Sequence, residues 1–249
     1  MRSASPGMPP RRARTMIGEH HTSKQFDAEL EAVRTRVLQM GGMVEQQIVR
    51  AIDGLSSGEM SVIDEVIEDD HRVNALEVQL DEDCSHIIAR RQPAASDLRL
   101  LIAVIKTITD LERIGDEAEK IARMAKLIYA AERMHMPRME MRNMAGLALE
   151  MLRKALDAFA RLDVKAALEV VRQDEAVDAE FRAVLRQLIT FMMEDPRTIS
   201  RCLEVLFIAK AIERIGDHCK NMAEYVIYMV QGRDVRHLNE AEIAETVNQ

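Results

Sequence analysis

The sequence predicts an all-α protein built as two tandem, pseudo-repeated antiparallel three-helix bundles, with six long helices in all. Three observations carry that prediction. Apolar residues recur at spacings of three and four over long stretches, the signature of helices with one buried face. Glycine and proline are sparse, 10 and 6 in 249 residues, which favours a few long elements over many short ones. The chain also repeats itself after about a hundred residues: Glu112-Arg-Ile-Gly-Asp116 returns unchanged as Glu213-Arg-Ile-Gly-Asp217.

Composition agrees. Aromatic residues make up 3%, Trp is absent and Met reaches 17, which suits helices packed through Leu, Ile, Ala and Met better than sheets. A net charge of −8 argues against nucleic-acid binding, which needs clustered Lys and Arg. Cys84, Cys202 and Cys219 are an odd count with no Cys-x-x-Cys, so free thiols in a reducing compartment are expected. The longest apolar run, Leu100 to Ile105, is far too short to span a membrane. A soluble, cytoplasmic chain is the expectation.

The elements follow in order. Residues 1–22 form a leader with Pro and Arg but no apolar core of a signal peptide, and disorder is expected there. The first repeat covers 23–135. Its first helix starts near Asp27 and buries Leu30, Val33, Val37, Met40, Val44 and Ile48 before Ser56-Ser57-Gly58 ends it. The second runs from Met60 to Arg91 and stops at Gln92-Pro93. Ser96 or Asp97 caps the third, which continues to about Ala131, with Pro137 closing the block. The second repeat covers 136–232. A fourth helix spans roughly Met139 to Arg161, and a fifth follows Asp163 as N-cap to Met193. Asp195-Pro196 opens a sixth, which Gly232 ends. Residues 233–249 are polar, and a frayed tail is expected.

The repeated string puts Glu112 and Asp116 four residues apart, so their Cβ atoms stack about 5–6 Å apart on one helix face. Glu119 extends that row. Glu213 and Asp217 do the same in the second copy, followed by Asn221. Stacked carboxylates repel, and a neighbouring Arg or Lys or a hard metal cation relieves them. The bland reading is a solvated acidic face relieved by Arg113, Lys120, Arg214 and Lys220. Against it, the rows flank the packing seam of their helices, and Gly115 and Gly216 each cost about 1 kcal/mol in mid-helix. Asp70, Asn74, Asp174 and Asp178 form matching rows on the second and fifth helices and are further candidate ligands or partner contacts.

Glu68-x-x-His71 and Glu132-x-x-His135 have the spacing of di-iron carboxylate bundles. A metal-dependent helical-bundle enzyme is therefore the alternative to a binding protein, and a purely structural scaffold the third reading. No P-loop, dinucleotide glycine pattern, Ser/His/Asp signature or Cys-x-x-Cys is present, and no catalytic residue is assigned.

With Asp97-Leu-Arg99 leading into Asp110-Leu-Glu-Arg-Ile-Gly-Asp116, and Ala211-Ile-Glu-Arg-Ile-Gly-Asp-His-Cys-Lys-Asn-Met-Ala-Glu224 in the second half, the chain resembles the PhoU family of bacterial phosphate-transport accessory and signalling proteins. The resemblance covers about Ser23 to Arg233. It implies a cytoplasmic, non-catalytic negative regulator of the phosphate-starvation response. Such a protein links the ATPase subunit of the phosphate ABC transporter to a sensor histidine kinase at its PAS region. It also implies a homodimer, admits peripheral membrane association, and places iron, zinc, manganese or magnesium on the Glu/Asp-x-x-x-Asp motifs. Carried over, the metal positions are Glu112, Asp116, Glu213 and Asp217. Two departures stand out: Thr198-Ile-Ser200 lies opposite Asp97-Leu-Arg99, and Lys220 lies opposite Glu119. The second site is therefore expected to be poorer in carboxylate.

Overall fold

The computed structural model describes residues 17–130 and 141–248, with side chains from residue 24 onward. Most of the leader and the Glu132, His135 and Pro137 positions lie outside the described residues. Six long helices appear as expected: α1 (Ile17–Ser57), α2 (Met60–Arg91), α3 (Ala95–Ala130), α4 (Met141–Arg161), α5 (Val164–Glu194) and α6 (Ile199–Gln231). No strand occurs among the described residues. Helix α1 begins at Ile17, ten residues before Asp27 and inside the stretch expected to be disordered.

The stops have the chemistry the residues suggest. Gln92, ahead of Pro93, closes α2 in the left-handed region (φ 48°), its N–H reaching the Ile88 carbonyl. Asp163 caps α5 by accepting from the N–H groups of Lys165 (2.9 Å) and Ala166 (3.1 Å), which satisfies two of the donors that a helix start leaves orphaned. Asp195 caps a short 3-10 turn, Pro196–Thr198, that leads into α6. Gly232 (φ 70°) closes α6, its N–H bonded to the Tyr228 carbonyl.

Within each half the three helices run antiparallel. Arg91–Glu29 and Arg50–Asp69 tie opposite ends of α1 and α2, and Lys126–Asp64 ties α3 to α2. The halves join mainly through α3 against α6, the most extensive helix pair in the molecule, with α1 against α4 beside it. This central position changes what α3 must bury. The seam Leu101, Ile108, Leu111, Gly115, Ala118, Ala122 and Ala125 is buried as expected, while Ile105 is only partly so. A second buried stripe, Ala103, Thr107, Asp110, Ile114, Glu117 and Ile121, recurs at alternating steps of four and three. That is the heptad spacing of a helix that meets a near-antiparallel partner.

The C-terminal tail is not frayed. Residues 240–248 form α7 (Glu240–Asn248), which packs on α5 and buries Ile243, Thr246 and Val247. A reciprocal capping box nucleates it. The Asn239 side chain accepts from the Glu242 N–H (3.0 Å), and the Glu242 carboxylate accepts from the Asn239 N–H (2.9 Å).

Candidate metal and partner site

Each half carries an acidic groove between its second and third helices. In the first half, α3 presents Glu112 and Asp116 to α2. The Glu112 carboxyl titrates above the usual range because it is partly buried and faces Asp116, with Glu77 and Asp70 adding to the effect and Arg113 opposing it. Asp116 is likewise raised by burial and by Asp70, Glu119 and Glu117. The rows on α2 and α3 thus share one field, and Asp70 belongs to it. Glu119 pairs with Arg123 on the solvent side.

Asp70 lies deepest, at 7% exposure. Its Oδ1 accepts from Gln47 Nε2 (3.1 Å) and its Oδ2 from Asn74 Nδ2 (3.0 Å). The amide oxygens of Gln47 and Asn74 are left buried with no donor. An orphaned buried acceptor costs about 1–3 kcal/mol, a cost that a cation bound against it would offset. Gly115 makes room for both α1 and α2. A Cβ there would lie 3.2 Å from Gln47 Oε1 and 3.4 Å from Asp70 Oδ1.

The second groove repeats the geometry with different chemistry. A Cβ on Gly216 would sit 3.4 Å from Val177 Cγ1 and 3.6 Å from Asp174 Oδ1. Asp217 is raised by burial and by Glu213, Asp174 and Asp178. Here, however, Lys220 Nζ donates to Asp174 Oδ2 at 2.8 Å. Burial pulls the lysine down, and the bond to Asp174 overrides this and holds it above its usual range. Met151, the counterpart of Gln47 by the Ala51/Ala155 register, is fully buried. Lys210 holds Glu213, and Arg182 reaches Asp178 at 3.7 Å. The second groove carries its own cations.

One sequence expectation moves. Asn221 does not extend the Glu213/Asp217 row: its Nδ2 donates across to Asp110 (3.2 Å). The reason is that α6 turns this face to α3. His218 goes the same way, its Nδ1 lying 2.6 Å from Asp110 Oδ1. Further along the seam, Arg214 meets the buried Glu117 at 2.7 Å, with Lys120 on the other oxygen. Asp110 and Glu117 are positions that the repeated string does not mark. They are seven residues apart on a stripe that is otherwise apolar but for Thr107, which marks two acids aimed into a helix interface. In the repeat their counterparts are Ala211 and His218, so the acids belong to one copy alone, and α6 sends His218, Asn221 and Arg214 across to them.

Glu224, on α6, is buried to 6% exposure. Burial pushes its carboxyl up to about 7 against the pull of Lys220 and Arg236. The folded state therefore binds this proton more tightly than the unfolded chain does, so the stability it supports is present at acid pH and lost as pH rises through about 7. Glu224→Gln is expected to stabilise the protein by on the order of 1–3 kcal/mol at pH 8, with the gain shrinking toward pH 5. Thermal melts at the two pH values check this, and an equal shift at both would contradict it.

The arrangement does not resemble an enclosed di-iron centre. Glu68 and His71 are both exposed on α2, although that centre needs its ligands turned inward. Among the described residues, no three His, Cys, Asp or Glu side chains converge tightly enough to hold a metal ion as they stand.

The fold and these grooves define a class: a duplicated helical bundle whose two acidic sites lie on outer grooves beside mid-helix glycines. The PhoU domain model matches the chain twice, at residues 37–125 and 141–226. The phosphate-specific transport system accessory protein PhoU homolog of Pseudomonas aeruginosa is 49% identical over 92% of this chain and 94% of its own length. The phosphate-specific transport system accessory protein PhoU of Escherichia coli is 47% identical over 90% and 92%. The crystal structure of PhoU from P. aeruginosa superposes with a TM-score of 0.80 at 47% identity, covering 84% of this chain and all of that one. The phosphate transport system regulatory protein PhoU from Streptococcus pneumoniae gives a TM-score of 0.78 at 27% identity, over 84% and 99%. This chain belongs to the PhoU family.

Proposed function

We propose that this chain is a non-catalytic, cytoplasmic regulator of phosphate transport that restrains the phosphate-starvation response when phosphate is plentiful. It acts as an adaptor, contacting the ATPase subunit of the phosphate ABC transporter and the PAS region of a sensor histidine kinase, as a homodimer that can lie against the membrane. The observation that carries the reading is the paired Glu-Arg-Ile-Gly-Asp string on a duplicated bundle, in a chain about half identical to proteins named as phosphate-transport accessory factors. No helix among the described residues is long and apolar enough to cross a membrane, so contact with a membrane-bound transporter would run through its cytoplasmic subunit.

A hard divalent cation such as manganese or magnesium, or iron or zinc, fits the α2/α3 groove best. Glu112, Asp116 and Asp70 would supply carboxylate, with Gln47 and Asn74 offering amide oxygens. The ion would supply positive charge that stitches α2 to α3. Glu213 and Asp217, with Asp178, form the weaker second site because Lys220 already occupies Asp174.

Deleting the gene is expected to raise starvation-gene expression in phosphate-rich medium, and the purified chain is expected to retain the kinase PAS region and the transporter ATPase in pull-down. Unchanged expression together with no retention would contradict the adaptor reading.

A further inference from the structure

The outer groove of the second half continues past its acidic row into an apolar end. On α5, Asp178 and Arg182 lead by helical steps to Ile189 and Met193. On α6, Asp217, Glu213 and Lys210 lead to Phe207, Leu203 and Ile199. Three contacts set the α5/α6 register: Lys220 with Asp174 at 2.8 Å, Lys210 Nζ over the Phe181 ring at 5.5 Å, and Thr198 Oγ1 to the Phe191 carbonyl at 3.3 Å. That register sets Leu203 level with Ile189, and Ile199 level with Met193. All five apolar side chains are exposed, from 41% at Ile199 and Leu203 through 50% at Phe207 to 79% at Met193.

The repeat shows that scaffolding does not require this patch. In the first half, Ser85, Ala89 and Lys106 stand where Ile189, Met193 and Phe207 stand in the second, and the remaining two counterparts, Leu98 and Ile102, are partly covered. The same fold is thus built with small or polar residues at these three positions in one copy and large apolar ones in the other. Contiguous apolar exposure of this kind marks an interaction surface.

We propose that this α5/α6 groove seats one amphipathic helix of a partner protein, apolar at one end and basic at the other. The apolar end would fill the trough between Ile189 and Leu203. The basic end would meet the row of Asp178, Glu213 and Asp217; Arg182 and Lys210 already reach the first two, and among the described residues Asp217 has no ion pair. A trough between antiparallel helices is the shape a helix docks into. An anionic bilayer fits less well, because the acidic row on the same face would repel its headgroups. A second copy of this chain fits less well too, because apposing the apolar ends would bring no added basic group to Asp217, which has no ion pair among the described residues. The proposal rests on the adaptor reading for its place in the cell and refines it by naming the docking surface.

The test uses the full chain and a labelled synthetic helix of about 20 residues, with Leu at i, i+3, i+4 and i+7 in one half and Lys on the same face of the other. Fluorescence anisotropy is expected to show saturable binding near 10 μM, weakened about tenfold by Leu203→Glu/Phe207→Glu. Glu213→Gln/Asp217→Asn is expected to weaken binding and flatten its salt dependence. Ser85→Glu, the first-half control, leaves it unchanged, as judged beside matching circular dichroism. A probe with Glu in place of Lys binds about tenfold more weakly. Equal binding by the groove variant or by the acidic probe would overturn the proposal. So would Phe207-dependent sedimentation with phosphatidylglycerol vesicles, or self-association lost in Phe207→Glu, since each names a different occupant. If the groove variant still retains the kinase PAS region and the ATPase in pull-down, the groove proposal fails while the adaptor reading stands.

Discussion

Arg214→Ala is expected to cost the protein about 2–4 kcal/mol, because it strips the main partner from a carboxylate buried between the two halves. Glu117 is 5% exposed and keeps only Lys120 once Arg214 is gone. In a chain of this size each kcal/mol lowers Tm by roughly 2–4 °C, so a fall of about 5–15 °C is the expected reading by calorimetry. Glu117→Gln/Arg214→Met, which removes both charges and keeps the volume, should recover most of the loss, since an apolar replacement of a buried pair is often neutral. A single-variant Tm equal to wild type would show that the α3/α6 seam does not depend on this pair.

Lys220→Glu is expected to act more strongly still, and in opposite directions with and without metal. It places the first half's residue, Glu119, into the second groove. Without metal, the buried Asp174 loses its 2.8 Å partner and gains a like charge, a loss of about 3–5 kcal/mol. With excess Mn²⁺ the groove then gains the carboxylate at position 220 and a freed Asp174 beside Glu213, Asp217 and Asp178, and binding should restore stability in proportion to ln(1 + [L]/Kd). Melting curves with and without Mn²⁺ read both effects. A variant as stable as wild type without metal, or one that Mn²⁺ does not rescue, would contradict this account of the second groove. Because the carboxyls in both grooves are raised, protons compete with the ion, and metal binding should weaken as pH falls toward their titration range.

The inequality of the grooves was largely legible in the sequence. Glu119 against Lys220 is a charge reversal at matched repeat positions, and the Lys220–Asp174 bond is its structural form. The mid-helix glycines were legible as well, as sites of close approach. What approaches was not: Gly115 makes room for Gln47 and Asp70, and Gln47 belongs to α1, whose facing cannot be read from the α3 motif. A single-seam reading of α3 also failed for a physical reason. Periodicity reports that a helix has an apolar face, and α3 has two because it packs inside its own half and against α6. In the sequence Asp110 therefore reads as part of a charged string, whereas in the fold it is a buried acceptor for His218 and Asn221. The tail misled through composition. Its Asn239-x-x-Glu242 box was visible before a short apolar period, yet the polar average outweighed it.

The central claim is that the repeated string builds two unequal acidic grooves, with a divalent cation belonging to the α2/α3 groove. Titrating metal-free protein with Mn²⁺ by calorimetry tests it most directly, in wild type, Glu112→Ala/Asp116→Ala and Glu213→Ala/Asp217→Ala. The expected result is about one tight ion per chain, lost in the first variant and kept in the second. Equal binding by wild type and Glu112→Ala/Asp116→Ala would contradict it.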